Sequence, residues 1–193
     1  MNNHEIKKRH LPYVQNLDTR PLSAIDLAVI HCTELPDLAA AREYGERLCY
    51  TDSQTGNCGH FYIERNGRTE QWVPAERVAH HVRGHNERSI GIELVNQGRY
   101  PNWLDSRHQT MTEPYGTLQL SRLVSLLQQL RNALPSLEWI TGHQNLDTAR
   151  VPASDDSELM VFRKQDPGPM FPWNTILAEL ELKFLNHRLK QMY

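Results

Sequence analysis

Three separated residues in this chain carry side chains suited to holding a metal ion at a reactive centre. His31 follows the apolar run Leu27-Ala28-Val29-Ile30, and His143 follows Ile140-Thr141-Gly142. Asp166 stands in Arg163-Lys164-Gln165-Asp166-Pro167-Gly168-Pro169. Two imidazoles and a carboxylate complete the protein ligand set of a catalytic zinc, whose fourth position stays open for water or substrate. A lone histidine at a strand end is more often a hydrogen-bonded structural residue, so the chemistry rests on the three together. No H-E-x-x-H pattern supports a metallopeptidase helix. The three cysteines, Cys32, Cys49 and Cys58, form neither a C-x-x-C pair nor an even disulfide framework. They read as free thiols of a reducing compartment, with a cysteine hydrolase built on Cys32 and a nearby histidine as a competing use.

These side chains need elements that bring them together. Leu27 to Ile30 reads as a strand buried on both faces. Pro36, at a first helical position, opens a helix to about Leu48. Phe61-Tyr62-Ile63 and Thr69 to Val73 flank Arg65-Asn66-Gly67-Arg68, which predicts a hairpin with a type I′ turn. Ile90 to Val95 is a second, central strand, and Gly98 to Pro114 is loop. Leucines at 118, 120, 123, 126, 127 and 130 recur at helical spacing, predicting a helix over 115–134 that ends before Pro135. Leu137 to Thr141 is a short strand, residues 151–162 an acidic loop, and residues 175–189 a closing helix. Residues 1–24, punctuated by Pro12 and Pro21, read as an irregular N-terminal arm, and 25–193 as one domain. Strands interleaved with helices predict an α/β fold with a mixed central β-sheet covered by helices.

Lys plus Arg number 21 and Asp plus Glu 23, a formal net charge of −2, which gives no support for bulk attraction to nucleic acid or to an anionic membrane. No apolar run approaches the roughly 20 residues of a membrane helix. The polar, basic N-terminus lacks the apolar core of a secretory signal, so the expected location is cytoplasmic, or outside the cell if a removed leader preceded it.

The segments around His31, Tyr62, His81, Glu93, His143 and Asp166 resemble the zinc-dependent N-acetylmuramoyl-L-alanine amidases, a family that includes phage amidases and peptidoglycan recognition proteins. Ser89-Ile90-Gly91-Ile92-Glu93-Leu94, Thr141-Gly142-His143 and the 163–169 segment carry the likeness, which is greatest to the bacterial branch acting on 1,6-anhydro-muropeptides. The resemblance implies one Zn²⁺ on His31, His143 and Asp166, with Glu93 and Lys164 as catalytic groups outside the metal shell. It also implies His81, Asn86, Arg88 and Arg163 as substrate contacts, and peptidoglycan fragments as the partner. Aspartate at the third ligand position matches the anhydro-muropeptide branch, where phage amidases have cysteine. It favours an enzyme over a non-catalytic peptidoglycan-binding module of the same fold. The sequence departs from the family pattern twice. Gly59 stands where phage and recognition-protein relatives carry a tyrosine, and residues 148–161, with Asp155, Asp156 and Glu158, read as an insertion. Such a loop beside a site would be a lid, a specificity element or a solvated excursion.

Overall fold

The computed structural model describes residues 5–186. Along the chain come β1 (Lys7–Lys8), β2 (Leu27–Cys32), α1 (Leu38–Glu46), β3 (Phe61–Ile63), β4 (Thr69–Gln71) and β5 (Ser89–Leu94). There follow α2 (Thr117–Ala133), β6 (Trp139–Gly142), α3 (His143–Leu146), β7 (Arg150–Pro152), β8 (Met160–Phe162), α4 (Trp173–Ala178) and β9 (Lys183–Phe184). Seven strands form one mixed sheet in the order β1-β4-β3-β5-β2-β6-β9, and β7 and β8 form a separate pair.

Alternation along the central strands divides the sheet into two faces. Ala28, Ile30 and Cys32 of β2 pack with Ile90, Ile92 and Leu94 of β5 and with Leu123, Leu126, Leu127 and Leu130 of α2. Burying each such leucine contributes roughly 1.5–3 kcal/mol. Gln119 of α2 fixes the helix to the sheet, its amide nitrogen donating to the carbonyls of Ile63 and Val95 at 3.0 and 2.9 Å. The other face carries Leu27, Val29 and His31 on β2, in register with Ser89, Gly91 and Glu93 on β5. That face holds the chemistry.

The predicted mixed α/β architecture is present, with local corrections. Helix α1 starts at Leu38, because Asp37 caps it by accepting from the Ala40 N–H at 2.8 Å. The β3–β4 hairpin forms, but Asn66 is absent from the residues with positive φ and only Gly67, at φ +83°, is left-handed. The turn is therefore not type I′, which needs positive φ twice. Leu118, 65 % exposed, lies outside the buried stripe of α2. The 151–162 loop contains the β7–β8 hairpin. The expected 175–189 helix stops at Ala178 and gives way to β9, which pairs with β6; the part of that expectation beyond residue 186 lies outside the described residues. The N-terminal segment is mostly irregular, yet β1 adds an edge to the sheet and Leu11, Tyr13, Val14 and Leu17 are buried beside α1 and Trp72. Arg20 binds it to the site face. Its guanidinium donates to the carbonyls of Ala75, Asn86, Glu87 and Ser89 at 2.7–3.0 Å.

Candidate metal centre and cleft

Because β2, β5 and β6 run parallel, their carboxyl ends meet at one edge of the sheet, where open α/β sheets commonly place ligands. His31 sits near the end of β2 directly opposite Glu93 on β5. His143 begins α3 immediately after β6. Asp166 arrives on the segment after β8 and is pinned through its neighbourhood: the Gln144 N–H donates to its carbonyl at 2.9 Å, and the Tyr115 hydroxyl to the Pro167 carbonyl at 2.7 Å.

The three side chains converge. Asp166 Oδ2 lies 3.0 Å from His31 Nδ1 and 3.1 Å from His143 Nδ1, and the possible ligand atoms of all three lie within 4.8 Å of one another. All three residues are buried. Asp166 Oδ1 and His143 Nε2 are buried with no hydrogen-bond partner among the described residues. Burial pushes His31 down to about 4, outweighing the opposing pull of the Asp166 carboxylate beside it. Burial by itself would raise Asp166, but His143 and His31 beside it hold the carboxyl well below its usual range. A neutral imidazole at His31 and an ionised carboxylate are the protonation states a divalent cation requires. The donor set fits zinc.

Glu93 Oε1 stands 3.9 Å from His31 Nδ1. Burial, then the charge of Asp166, pushes its carboxyl up to about 8, against the pull of Lys164. Gly59 accounts for this placement: a Cβ there would lie 2.8 Å from Glu93 Cγ. Glycine at 59 thus leaves the Glu93 side chain room against the strand. Cys32 lines the same cleft, but burial and then the nearby Asp166 and Glu34 push its thiol well up. A thiol kept protonated is a poor nucleophile, which removes the support for a cysteine hydrolase. The three cysteines are free, Cys32 and Cys58 buried and Cys49 exposed.

A cleft of about 680 Å³ opens over these groups, within the range of small-molecule sites. It is lined by aromatic residues Tyr44, Tyr50 and Trp103 and by cations Arg83, Arg163 and Lys164. Among the expected substrate contacts, Arg163 lines the cleft while its guanidinium pairs with Asp147. Asn86 also lines it, but its Oδ1 is taken by the backbone N–H groups of His81 and Val82, at 3.0 and 2.8 Å. Arg88 is not brought in: it pairs with Asp26 at 2.6 Å, just before β2, at the opposite end of the strands from His31. His81 lines the cleft beside His31, its Nδ1 3.0 Å from His31 Nε2. The neighbouring His80 lines the cleft with its ring 4.9 Å from Tyr50, edge to face. His60 is held by the fold: its Nδ1 accepts the Gly91 N–H at 3.0 Å, and its Nε2 lies 2.8 Å from Arg20 Nη2.

Sequence reasoning missed the buried pair Glu34–Arg99, which borders the cleft. Arg99 Nε and Nη2 reach the two carboxylate oxygens of Glu34 at 2.7 and 2.8 Å, and Nη1 donates to the Phe162 carbonyl at 3.0 Å. The pair thus ties the exit of β2 to the segment leading into Lys164 and Asp166. A charged residue after a strand-end histidine and another in a polar loop carry no signal of pairing until the fold joins them. The inserted hairpin docks on the 104–107 segment: Ser154 N–H donates to the Leu104 carbonyl at 2.9 Å, and Asp155 accepts from Ser106 N–H and Oγ at 2.6 and 2.7 Å. None of residues 148–162 lines the cleft; the hairpin packs against the segment that follows Trp103 in the cleft wall.

A mixed sheet that brings two histidines and an aspartate together at its parallel strand ends, beneath a polar-aromatic cleft, is an α/β domain with a donor set able to hold a metal ion. Residues 21–169 match the family Amidase_2, described as N-acetylmuramoyl-L-alanine amidase, and the chain belongs to that family. It is 32 % identical over 127 residues to the 1,6-anhydro-N-acetylmuramyl-L-alanine amidase AmpD of Enterobacter cloacae, covering 61 % of this chain and 54 % of that protein. To the N-acetylmuramoyl-L-alanine amidase AmiD of Escherichia coli K12 it is 31 % identical over 171 residues, covering 80 % and 53 %. The chain thus spans about half the length of these curated relatives. The fold is shared with the amidase LysC from Clostridium intestinale URNW (TM-score 0.65, 19 % identity, 93 % of this chain and 99 % of that one). It is shared as well with AmiD bound to its substrate anhydro-N-acetylmuramic acid-L-Ala-D-γ-Glu-L-Lys (TM-score 0.60, 23 % identity, 81 % and 57 %).

Proposed function

We propose that this chain is a zinc-dependent amidase that hydrolyses the bond between N-acetylmuramic acid, or its 1,6-anhydro form, and L-alanine in peptidoglycan fragments. The observation that carries this reading is the meeting of His31, His143 and Asp166 with Glu93 and Lys164 at one edge of the sheet, under one cleft. His31, His143 and Asp166 would hold zinc, which when bound lowers the pKa of water towards about 7 and polarises a carbonyl. Glu93 takes the proton of the attacking water and returns it to the alanine nitrogen as the carbon–nitrogen bond breaks, leaving a muramic carboxylate and a free peptide amine. Its position, buried and raised towards neutrality, suits a group that must accept and then donate. Lys164 stabilises the negative charge that develops on the carbonyl oxygen. Lys164→Ala is expected to lower kcat by about 10²–10³ while zinc stays bound; wild-type turnover of the zinc-loaded variant would remove the residue from the mechanism. The intact five-residue set favours an enzyme over a binding module of the same fold.

The substrate class follows from the relatives' muropeptide chemistry and from the cations Arg83, Arg163 and Lys164, which suit the carboxylates of a stem peptide. The cleft is sized for a fragment, and the proposed setting is the cytoplasm, where soluble muropeptides would be met. No helix among the described residues is long and apolar enough to cross a membrane. Incubation with a mixture of monomeric muropeptides and intact sacculi, followed by mass identification of products, is expected to show faster cleavage of the muropeptides. Efficient digestion of sacculi with negligible action on small fragments would instead assign the chain to wall degradation outside the cell.

A further inference from the structure

Ser89, Gly91 and Glu93 lie on one face of β5, and only Glu93 is used by the chemistry above. The other two meet His81. Ser89 is fully buried, and its Oγ lies 2.7 Å from the His85 carbonyl and 3.1 Å from His81 Nε2. A hydroxyl has one proton to give, and a carbonyl oxygen at 2.7 Å can only receive it. Ser89 Oγ must therefore accept from His81, which places the His81 proton on Nε2 and leaves Nδ1 as a bare acceptor. That acceptor is 3.0 Å from His31 Nε2, so His31 carries its own proton on Nε2 and turns the lone pair of Nδ1 toward Asp166 and the metal cluster. A lone pair facing a carboxylate oxygen at 3.0 Å is repulsive unless a cation lies between them. The hydrogen-bond order set by a serine on the far side of the site thus ends in a ligand ready for metal.

We propose that His81 is a positioning residue, and that the relay Ser89–His81–His31 fixes the tautomer and ring orientation of His31 for metal binding through Nδ1. This rests on the metal reading given above. Histidine ligands are commonly oriented by a carboxylate, a carbonyl or water on their second nitrogen; here a neutral imidazole takes that place. The seat for it is built into the fold. A Cβ on Gly91 would come within 2.6 Å of His81 Cγ, so glycine is needed for the ring to lie against the strand. Asn86 holds the backbone N–H groups of His81 and Val82. The His60 ring stands edge-on to His81 at 5.6 Å and closes another side.

The test uses the zinc-loaded chain. Nitrogen-15 NMR of its imidazoles is expected to show protons on Nε2 of both His81 and His31. In chelator competition, His81→Ala is expected to weaken zinc about 10–100-fold. His81→Asn places an amide oxygen where Nδ1 was, and should restore most of that loss. Ser89→Ala leaves His81 in place but frees its tautomer, and should weaken zinc in the same direction as His81→Ala. A proton on His81 Nδ1 in the wild-type chain, or undiminished zinc affinity in a folded His81→Ala, would overturn the relay while leaving the metal reading intact. Failure of the wild-type chain to bind zinc at all would overturn the metal reading instead.

Discussion

Replacing His31 by alanine is expected to abolish zinc retention and amide hydrolysis together. The residue is 2 % exposed and lies near the carboxyl end of β2, beyond the fully buried Leu27 to Ile30. The core is untouched by the change, so circular dichroism should report a folded chain. What remains at the cluster is Asp166 with His143 alone, two ligands where a catalytic zinc takes three. The expected result is less than one-tenth of an equivalent of zinc after dialysis and no detectable product, on the order of the retention that loss of one of three ligands permits. Full activity in a preparation verified to be free of metal would end the metal-dependent account.

Glu93→Ala is expected to behave differently, keeping fold and zinc while lowering kcat by roughly 10²–10⁴. The carboxylate is not needed to hold the metal, since the ligand set is complete without it. Its removal also relieves a buried group that shares its surroundings with Asp166, so metal affinity should not fall. The contrast between the two variants is the diagnostic: one loses the ion, the other loses the proton transfer. Zinc-loaded Glu93→Ala with wild-type turnover would show that some other group moves the proton.

Much of this site was legible before the fold was known. His31, His143 and Asp166 stood out because strand ends and a distinctive 163–169 segment presented the right donor types, and the structure brings them together as expected. Glu93 was reached through the family resemblance of the 89–94 segment, and the structure places it opposite His31. Arg88, expected as a substrate contact, pairs with Asp26 and does not line the cleft, because direction in space is invisible in a linear segment. It precedes β5 by one residue while Glu93 lies near the strand's other end, so only Glu93 reaches the cleft. His80 and His81 could not be separated by type alone. Both line the cleft, and the one that reaches His31 is the one given space by Gly91 and a hydrogen-bond partner by Ser89. The closing helix failed at Ala178 because the free edge of β6 offered backbone pairing to residues 183–184, a tertiary option that periodicity does not register. The cleft walls of Tyr44 and Trp103 come from separate loops and carry no local pattern.

The parallel arrangement of β2, β5 and β6 has a further consequence for how the molecule comes into being. Parallel neighbours cannot be joined by a tight turn, so each pairing waits for a long excursion of chain to be completed. His31, Glu93, His143 and Asp166 lie on four separate stretches, and the last arrives only after β7 and β8 have been laid down. No early fragment of the nascent chain holds the full constellation, and the contacts that create it are among the most distant in sequence, the kind that form slowly. An ion that binds only the finished arrangement adds its binding free energy to that arrangement alone. The reactive centre is thus the keystone of the topology, set last and bearing on every stretch that meets there.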